Sequence, residues 1–308
     1  MRTPRLALAL ALAVALIPLA APGLGAAERI SQPFVGVTHI DRTEASPRPL
    51  RIHVIKIDLA APGLRFMVTP HAGPQDTVKQ TTRQFLAQER AQVAVNAHYF
   101  EPWPAPSPDP GTADLAGLAA SNGNVYSPFD ANPPKLYAIR PNAPALNIDA
   151  ANHASIVHRS LSDPTGRTVA EPVTLYNAVS GNEQIITGGA NTAGTGKWHN
   201  TLNPHTAIGL APGRTLILFT VDGRQPGVSE GMTVPEVADI LRRDYGVTDA
   251  ISLDGGGSTT LCMADPEPRV VNVPCGTDNK PASERPVGSN LAVFAVTPPR
   301  PREISSPR

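Results

Sequence analysis

Apolar residues occur in short blocks separated by turn-forming residues, and the spacing within the blocks changes along the chain. Leu50 to Leu59 alternates, with Ile52, Val54, Ile55 and Ile57, which predicts a strand; Leu64 to Val68 follows a Pro62-Gly63 turn, so the pair reads as a hairpin. Asp76 is placed to cap a helix running to about Ala91, with Val78, Phe85 and Leu86 on one face. Val93 to Phe100 returns to strand. From Glu101 to Pro144 the apolar blocks shrink to fragments near Asn124 to Tyr126 and Leu136 to Ile139, set among Pro, Asn, Ser and Gly. Loops of that length in a compact domain are usually functional or mobile.

After a polar stretch from Asn177 to Asn203, order returns. Thr206 to Leu210 and Thr215 to Val221 are strand-like, the second so continuously apolar that it suits a strand buried on both faces. Thr233-Val234-Pro235-Glu236 is a capping-box pattern, opening a helix whose Val237, Ile240, Leu241 and Tyr245 share a face and whose stop is Gly246. Ala250 to Leu253 is a further buried strand, ending at Asp254-Gly255-Gly256-Gly257. Asn290 to Val296 supplies the last one, and residues 298–308 read as a solvated tail. The expected fold is α+β: a single domain over residues 50–297 with a mixed β-sheet core, flanking helices and long Pro/Gly-rich loops, preceded by an extension over 28–49.

Composition narrows the function classes. The 308 residues carry 26 Lys+Arg against 26 Asp+Glu, and only 17% are charged. Without a surplus of clustered cations, nucleic acid is excluded as a partner. The 34 prolines are roughly twice the ordinary share, in keeping with a loop-rich chain. At the amino end, Arg2 and Arg5 precede the apolar run Leu6 to Ile17, and Gly25-Ala26-Ala27 ends it with small residues. Residues 1–27 therefore read as a secretory signal peptide, too short to span a bilayer, and the mature protein is expected in a periplasm or secreted, without a membrane anchor. In such a compartment the two cysteines, Cys262 and Cys275, are most simply a local disulfide, with two free buried thiols as the competing reading.

The candidate chemistry lies where apolar strands end. Leu253 to Thr260 places the Asp254 carboxylate at the end of a buried strand, followed by Gly255, Gly256 and Gly257 and then the hydroxyls of Ser258 and Thr259. Glycines let backbone N–H groups converge, so the loop could form an anion-binding nest. Neither a Walker loop nor a dinucleotide fingerprint fits its spacing. Asp222, in Val221-Asp222-Gly223-Arg224, ends another apolar strand and would approach Asp254 if the two strands were neighbours; a plain Asp-Gly turn is the competing reading. Asn96-Ala97-His98 forms a third polar cluster at a strand end, where a histidine such as His98 is more often structural.

Taken in order, Asn96 to Phe100, Pro204 to Gly209 with His205, Val221 to Arg224, Leu253 to Thr260, and Glu284-Arg285-Pro286-Val287 with Asn290 resemble the successive motifs of the phosphodiester glycosidase family. The resemblance runs from about Leu50 to Val296. It implies an exported hydrolase that cleaves the C1–O bond of a sugar-1-phosphodiester of the N-acetylglucosamine-α-1-phosphodiester kind, with a glycan or sugar phosphate as its partner and no cofactor or metal. Asp254 is then the expected catalytic carboxylate and Asp222 the second acid/base. Arg224, the Gly255 to Thr259 segment and His205 would hold phosphate, Asn96 the sugar, and Glu284 with Arg285 a supporting ion pair. Two departures stand out: the family usually has Asn-Gly-Gly at Asn96-Ala97-His98, and arginine at His205. A histidine there replaces the cation only as imidazolium, so activity would decline as pH rises through about 6.5 if the position faces phosphate; a strand-end residue packed beside Thr206 is the competing reading. Two rival functions remain on the sequence: a non-catalytic envelope-glycan or exopolysaccharide accessory protein, and a metal-dependent phosphodiesterase.

Overall fold

The strand Leu50–Asp58 shows how the chain is layered. Its Ile55 and Ile57 join one apolar cluster and its Ile52 and Val54 another, so both faces of the strand are buried. The computed structural model describes residues 26–102, 111–133 and 138–299. Residues 1–25 of the expected leader, most of the Pro-rich insert, the candidate strand residues Leu136 and Tyr137, and nearly all of the expected tail lie outside the described residues.

Leu50–Asp58 belongs to an eight-stranded antiparallel sheet ordered Ala27–Phe34, Val37–Glu44, Leu50–Asp58, Thr215–Val221, His205–Ala211, Asp249–Ser252, Glu183–Thr187, Ala190–Asn191. A five-stranded sheet runs Pro268–Val270, Leu261–Ala264, Val93–Asn96, Asn290–Phe294, Arg65–Val68. Between these two sheets lies the main core, with Ile208, Leu218 and Ile251 from the first meeting Val93, Val95, Leu261 and Leu291 from the second. A second five-stranded sheet, Asn124–Ser127, Ala119–Ser121, Asn177–Ser180, Ala145–Ile148, Ala154–Val157, adds Leu146, Ile148 and Val179 to that core.

Each outer face of the sandwich carries one helix. Helix α1, Thr82–Glu89, seats Phe85 and Leu86 against Ala94, Cys262 and Ala292 of the smaller sheet. Helix α2, Val234–Tyr245, seats Val237, Ile240 and Leu241 against Val54, Phe219 and Ala250 of the larger one. Each such aliphatic side chain contributes about 1.5–3 kcal/mol when fully buried. The Thr233/Glu236 capping box and the left-handed Gly246 bound α2 where the sequence pattern places them.

Several expectations differ from the structure. The protein is mostly β, with two α-helices among the described residues and antiparallel pairing throughout its named strands, rather than α+β with a mixed sheet. The apolar blocks feeding long two-layer sheets are numerous, whereas only two segments combine a helical period with a cap. Leu50–Asp58 and Arg65–Val68 form no hairpin, since they lie in different sheets. Cys262 and Cys275 are both free, buried thiols. Cys262 points into the α1 cluster, whereas Cys275 precedes the segment that packs on the glycine loop, so the two side chains serve different neighbourhoods. Helix α1 also starts later than expected, because Thr81 with Gln84 forms its capping box while the Asp76 carboxylate accepts the N–H of Leu115 instead. Across the 28–49 stretch expected as an extension, Ala27–Phe34 and Val37–Glu44 form the edge strand and its neighbour in the large sheet.

Candidate active site

The chain leaves Asp249–Ser252 through Leu253 and reaches Asp254, whose N–H donates to the carbonyl of Ala97 and whose carbonyl accepts from Asn96 Nδ2 at 2.6 Å. Asn96 is fully buried and its Oδ1 accepts from Thr206 Oγ1 at 2.8 Å and from the N–H of Thr260 at 3.0 Å. One amide thus joins both sheets to the glycine loop. That leaves Asn96 as the fixture that sets the height of Asp254, not as a group facing solvent.

The loop needs its glycines for different reasons. Gly256 has φ +58, and a Cβ there would come within 2.9 Å of Arg224 Nη2. At Gly257 a Cβ would stand 1.8 Å from the carbonyl oxygen of Gly276, which no side chain can satisfy. The amides of Gly256, Ser258 and Thr259 donate to Pro204, Gly255 and Gly256 carbonyls. Those N–H groups hold the loop together, so the nest expected from the sequence is largely used internally. Thr259 is buried, away from the cavity lining.

A cleft of about 140 Å³ opens above this loop, lined by Tyr99, Phe100, Trp198, Asn203, Pro204, His205, Arg224, Asp254, the three glycines and Arg285. Asp254 is its sole carboxylate among the described residues. Burial raises that carboxyl to about 6, against the opposing effects of the Ser258 hydroxyl, the Arg285 charge and the Gly255 N–H. Arg285 Nη1 donates to Ser258 Oγ at 3.1 Å, so cation, hydroxyl and carboxylate form a chain. The guanidinium of Arg224 is held by neutral amides, donating to Asn203 Oδ1 at 3.0 Å through Nη2 and to Asn279 Oδ1 at 2.8 Å through Nη1. Neutral partners position it, and no carboxylate among the described residues forms an ion pair with it. Such a cation on a cavity wall attracts an anion.

His205 lines the same cleft, with Nε2 2.8 Å from the carbonyl oxygen of Met232. Burial, with Arg224 adding to the effect, lowers it to about 4. It is therefore neutral at physiological pH, contrary to the imidazolium expected from the sequence. Several other candidates stand outside the cavity lining. Asp222 is buried, and its carboxylate accepts from Asn272 Nδ2 at 2.9 Å and from the N–H of Val273 at 3.0 Å, tying down the 272–273 segment. The strand His205–Ala211 separates Thr215–Val221 from Asp249–Ser252, which is why the two aspartates do not converge. His98 is buried against Ser289 Oγ and the Leu118 carbonyl. Glu284 pairs with Arg83 of α1 at 2.8 Å, not with Arg285. No group of three or more His, Cys, Asp or Glu side chains among the described residues is arranged to hold a metal ion.

Sequence reasoning missed the aromatic wall of Tyr99, Phe100 and Trp198, and the positioning amide Asn203. Trp198 carried the one available signal: a tryptophan, one of two in the chain, inside an otherwise polar stretch. It is held in place because the next residue, His199, sets Nε2 2.9 Å from the buried carboxylate of Glu183.

The family model for phosphodiester glycosidases matches residues 89–294, a span that contains every lining residue of the cleft. The chain belongs to the phosphodiester glycosidase family. It is accordingly a hydrolase acting on glycosyl bonds of phosphodiesters. Solved structures share the family's fold with it. The catalytic domain of zebrafish N-acetylglucosamine-1-phosphodiester α-N-acetylglucosaminidase, auto-inhibited by its pro-peptide, is 19% identical with a TM-score of 0.57, covering 89% of this chain and 84% of that one. A hypothetical protein from Synechocystis is 14% identical with a TM-score of 0.57, over 84% of this chain and 62% of that one. A Burkholderia pseudomallei structure described as that of an exported protein is 16% identical with a TM-score of 0.55, over 83% and 77%. No curated protein matches the chain significantly.

Proposed function

We propose that this phosphodiester glycosidase is exported and hydrolyses the C1–O bond of a sugar-1-phosphodiester, of the N-acetylglucosamine-α-1-phosphodiester kind, releasing the sugar and a phosphomonoester. One observation carries the reading: a buried carboxylate, Asp254, and an arginine whose hydrogen-bond partners among the described residues are neutral, Arg224, line a single cleft with an aromatic wall. Each part matches one part of the substrate. Arg224 meets the phosphate, and Trp198 and Tyr99 offer apolar faces to the C–H surface of a sugar ring. As the glycosyl bond breaks, positive charge develops on the ring, and Asp254 stabilises it in a site of low dielectric. Phosphate leaves readily without protonation, so no carboxylic acid is needed on the departing side. Supporting export are the leader-like pattern of residues 1–27 and the description of the Burkholderia structure as an exported protein.

Incubation with an N-acetylglucosamine-α-1-phosphodiester, with and without a chelator, tests this reading. Release of N-acetylglucosamine together with a phosphomonoester, undiminished by chelation, is the expected result. Sugar 1-phosphate as product would mean P–O cleavage, and loss of activity on chelation would favour the metal-dependent reading. Binding without turnover would favour the accessory protein.

A further inference from the structure

Hydrolysis needs a group that takes a proton from the attacking water, and the cleft offers few. Among its described lining residues only Asp254 and His205 carry side chains that are unprotonated at neutral pH and have a lone pair free to take a proton in a transition state. Asp254 is already engaged by Ser258 and the Gly255 N–H and faces the developing charge in the reading above. His205 is arranged differently. A carbonyl oxygen can only accept, so the 2.8 Å contact with Met232 places the ring proton on Nε2 and leaves a lone pair on Nδ1. Nδ1 lies beside Gly255, 3.6 Å from where a Cβ on that residue would stand. No protein donor among the described residues bonds to Nδ1. A lone pair aimed this way repels phosphate oxygens but accepts from water.

We propose that His205 Nδ1 is the base that deprotonates the water attacking the anomeric carbon. The inference rests on the glycosyl-cleaving reading of the cleft. In that step the water oxygen bonds to C1, the bond from C1 to the phosphate oxygen breaks, and its electron pair leaves with the phosphomonoester. The water proton passes to Nδ1 and then to solvent. The Met232 carbonyl keeps its hydrogen bond to Nε2 throughout and, with the nearby Glu236 charge, stabilises the imidazolium as it forms, while Arg224 and burial return it to the neutral state. The arrangement repeats a general logic: a base oriented through its far nitrogen by an acceptor.

The test uses the full-length enzyme with His205→Ala and His205→Asn, after circular dichroism and thermal melts have shown both folded. His205→Ala is expected to lower kcat by about 100-fold or more with KM changed less than about threefold. Asparagine can accept a hydrogen bond but cannot carry the proton away, so it should not restore kcat. Added azide, a nucleophile that needs no deprotonation, should recover at least about tenfold of the lost rate in His205→Ala and yield a glycosyl azide. Recovery of kcat in His205→Asn would overturn the proposal, making His205 a binding group. So would a folded His205→Ala with kcat within about threefold of the parent, or the absence of azide rescue. Failure of the unsubstituted enzyme to cleave the sugar phosphodiester is a separate outcome, which falls on the proposed function instead.

Discussion

Asp254 meets two opposing demands, since its charge is needed for turnover and disfavoured by the fold. Its folded value of about 6 lies above the 3.8 of an unfolded aspartate, with burial as the dominant cause. Stability associated with this group is therefore present at acidic pH and is lost as pH rises from about 4 through 6. Asp254→Asn should lower kcat at least about 100-fold while melting a few degrees higher than the parent at pH 7.5, a gain that vanishes below pH 4; paired activity and calorimetric measurements check both. For the same reason kcat/KM should rise with pH through about 6 and then remain level. An alkaline decline centred near 6.5 would contradict the neutral, buried imidazole of His205 and restore the cationic role expected from the sequence. Asp222 is also raised to about 6 by burial, but it differs in that its carboxylate accepts from the Asn272 side-chain amide and the Val273 N–H and so ties down a loop. Asp222→Asn puts an N–H where Val273 already donates, so a loss of about 1–3 kcal/mol is expected in urea titrations, with kcat changed less than tenfold.

At the scale of elements, the glycine loop and helix α2 were both legible in sequence, yet they answer to different constraints. Thr233 and Glu236 satisfy each other's backbone donors locally, so the pattern alone places the start of α2. Thr233→Ala should cost about 1 kcal/mol in thermal or urea unfolding without altering kcat. Gly257 instead answers to a segment distant in sequence, because Gly276 O fills the space a side chain would occupy. Gly257→Ala must displace backbone on one side or the other, and since the loop also carries Asp254 and Ser258, activity and stability should fall together. A folded, fully active alanine variant would show that the loop and the 276 segment can separate freely. Helix α1 illustrates how a local signal misleads: Asp76 is a competent cap, but pairing of Thr77–Val78 with the 112–113 segment claims the residues that would have followed it.

For the whole molecule, the two buried thiols give a direct check on how the layers are stacked. Cys262 is enclosed between the smaller sheet and α1, and burial pushes both thiols up, so neither is readily reactive in the folded protein. Melting curves with and without reductant should coincide, and denaturant should expose two alkylatable thiols; cross-linked peptides would contradict this packing. What the sequence by itself determined was local or carried by motif: strand blocks, the capped helix, the glycine loop, Asp254 at a strand end, and a family pattern that the family match confirms. Only the tertiary structure decided which strands are neighbours. Because a strand's period states that a face is buried but not against what, the sequence could not show that His205–Ala211 intervenes between the strands ending at Asp222 and Asp254. Nor could it show which lining residues converge, since Tyr99, Trp198, Arg224 and Arg285 arrive from four separate segments. The ionisation of His205 belongs to the same class: a histidine's charge depends on its solvent and its hydrogen-bond partner, and the Met232 carbonyl that orients this one lies 27 residues away along the chain.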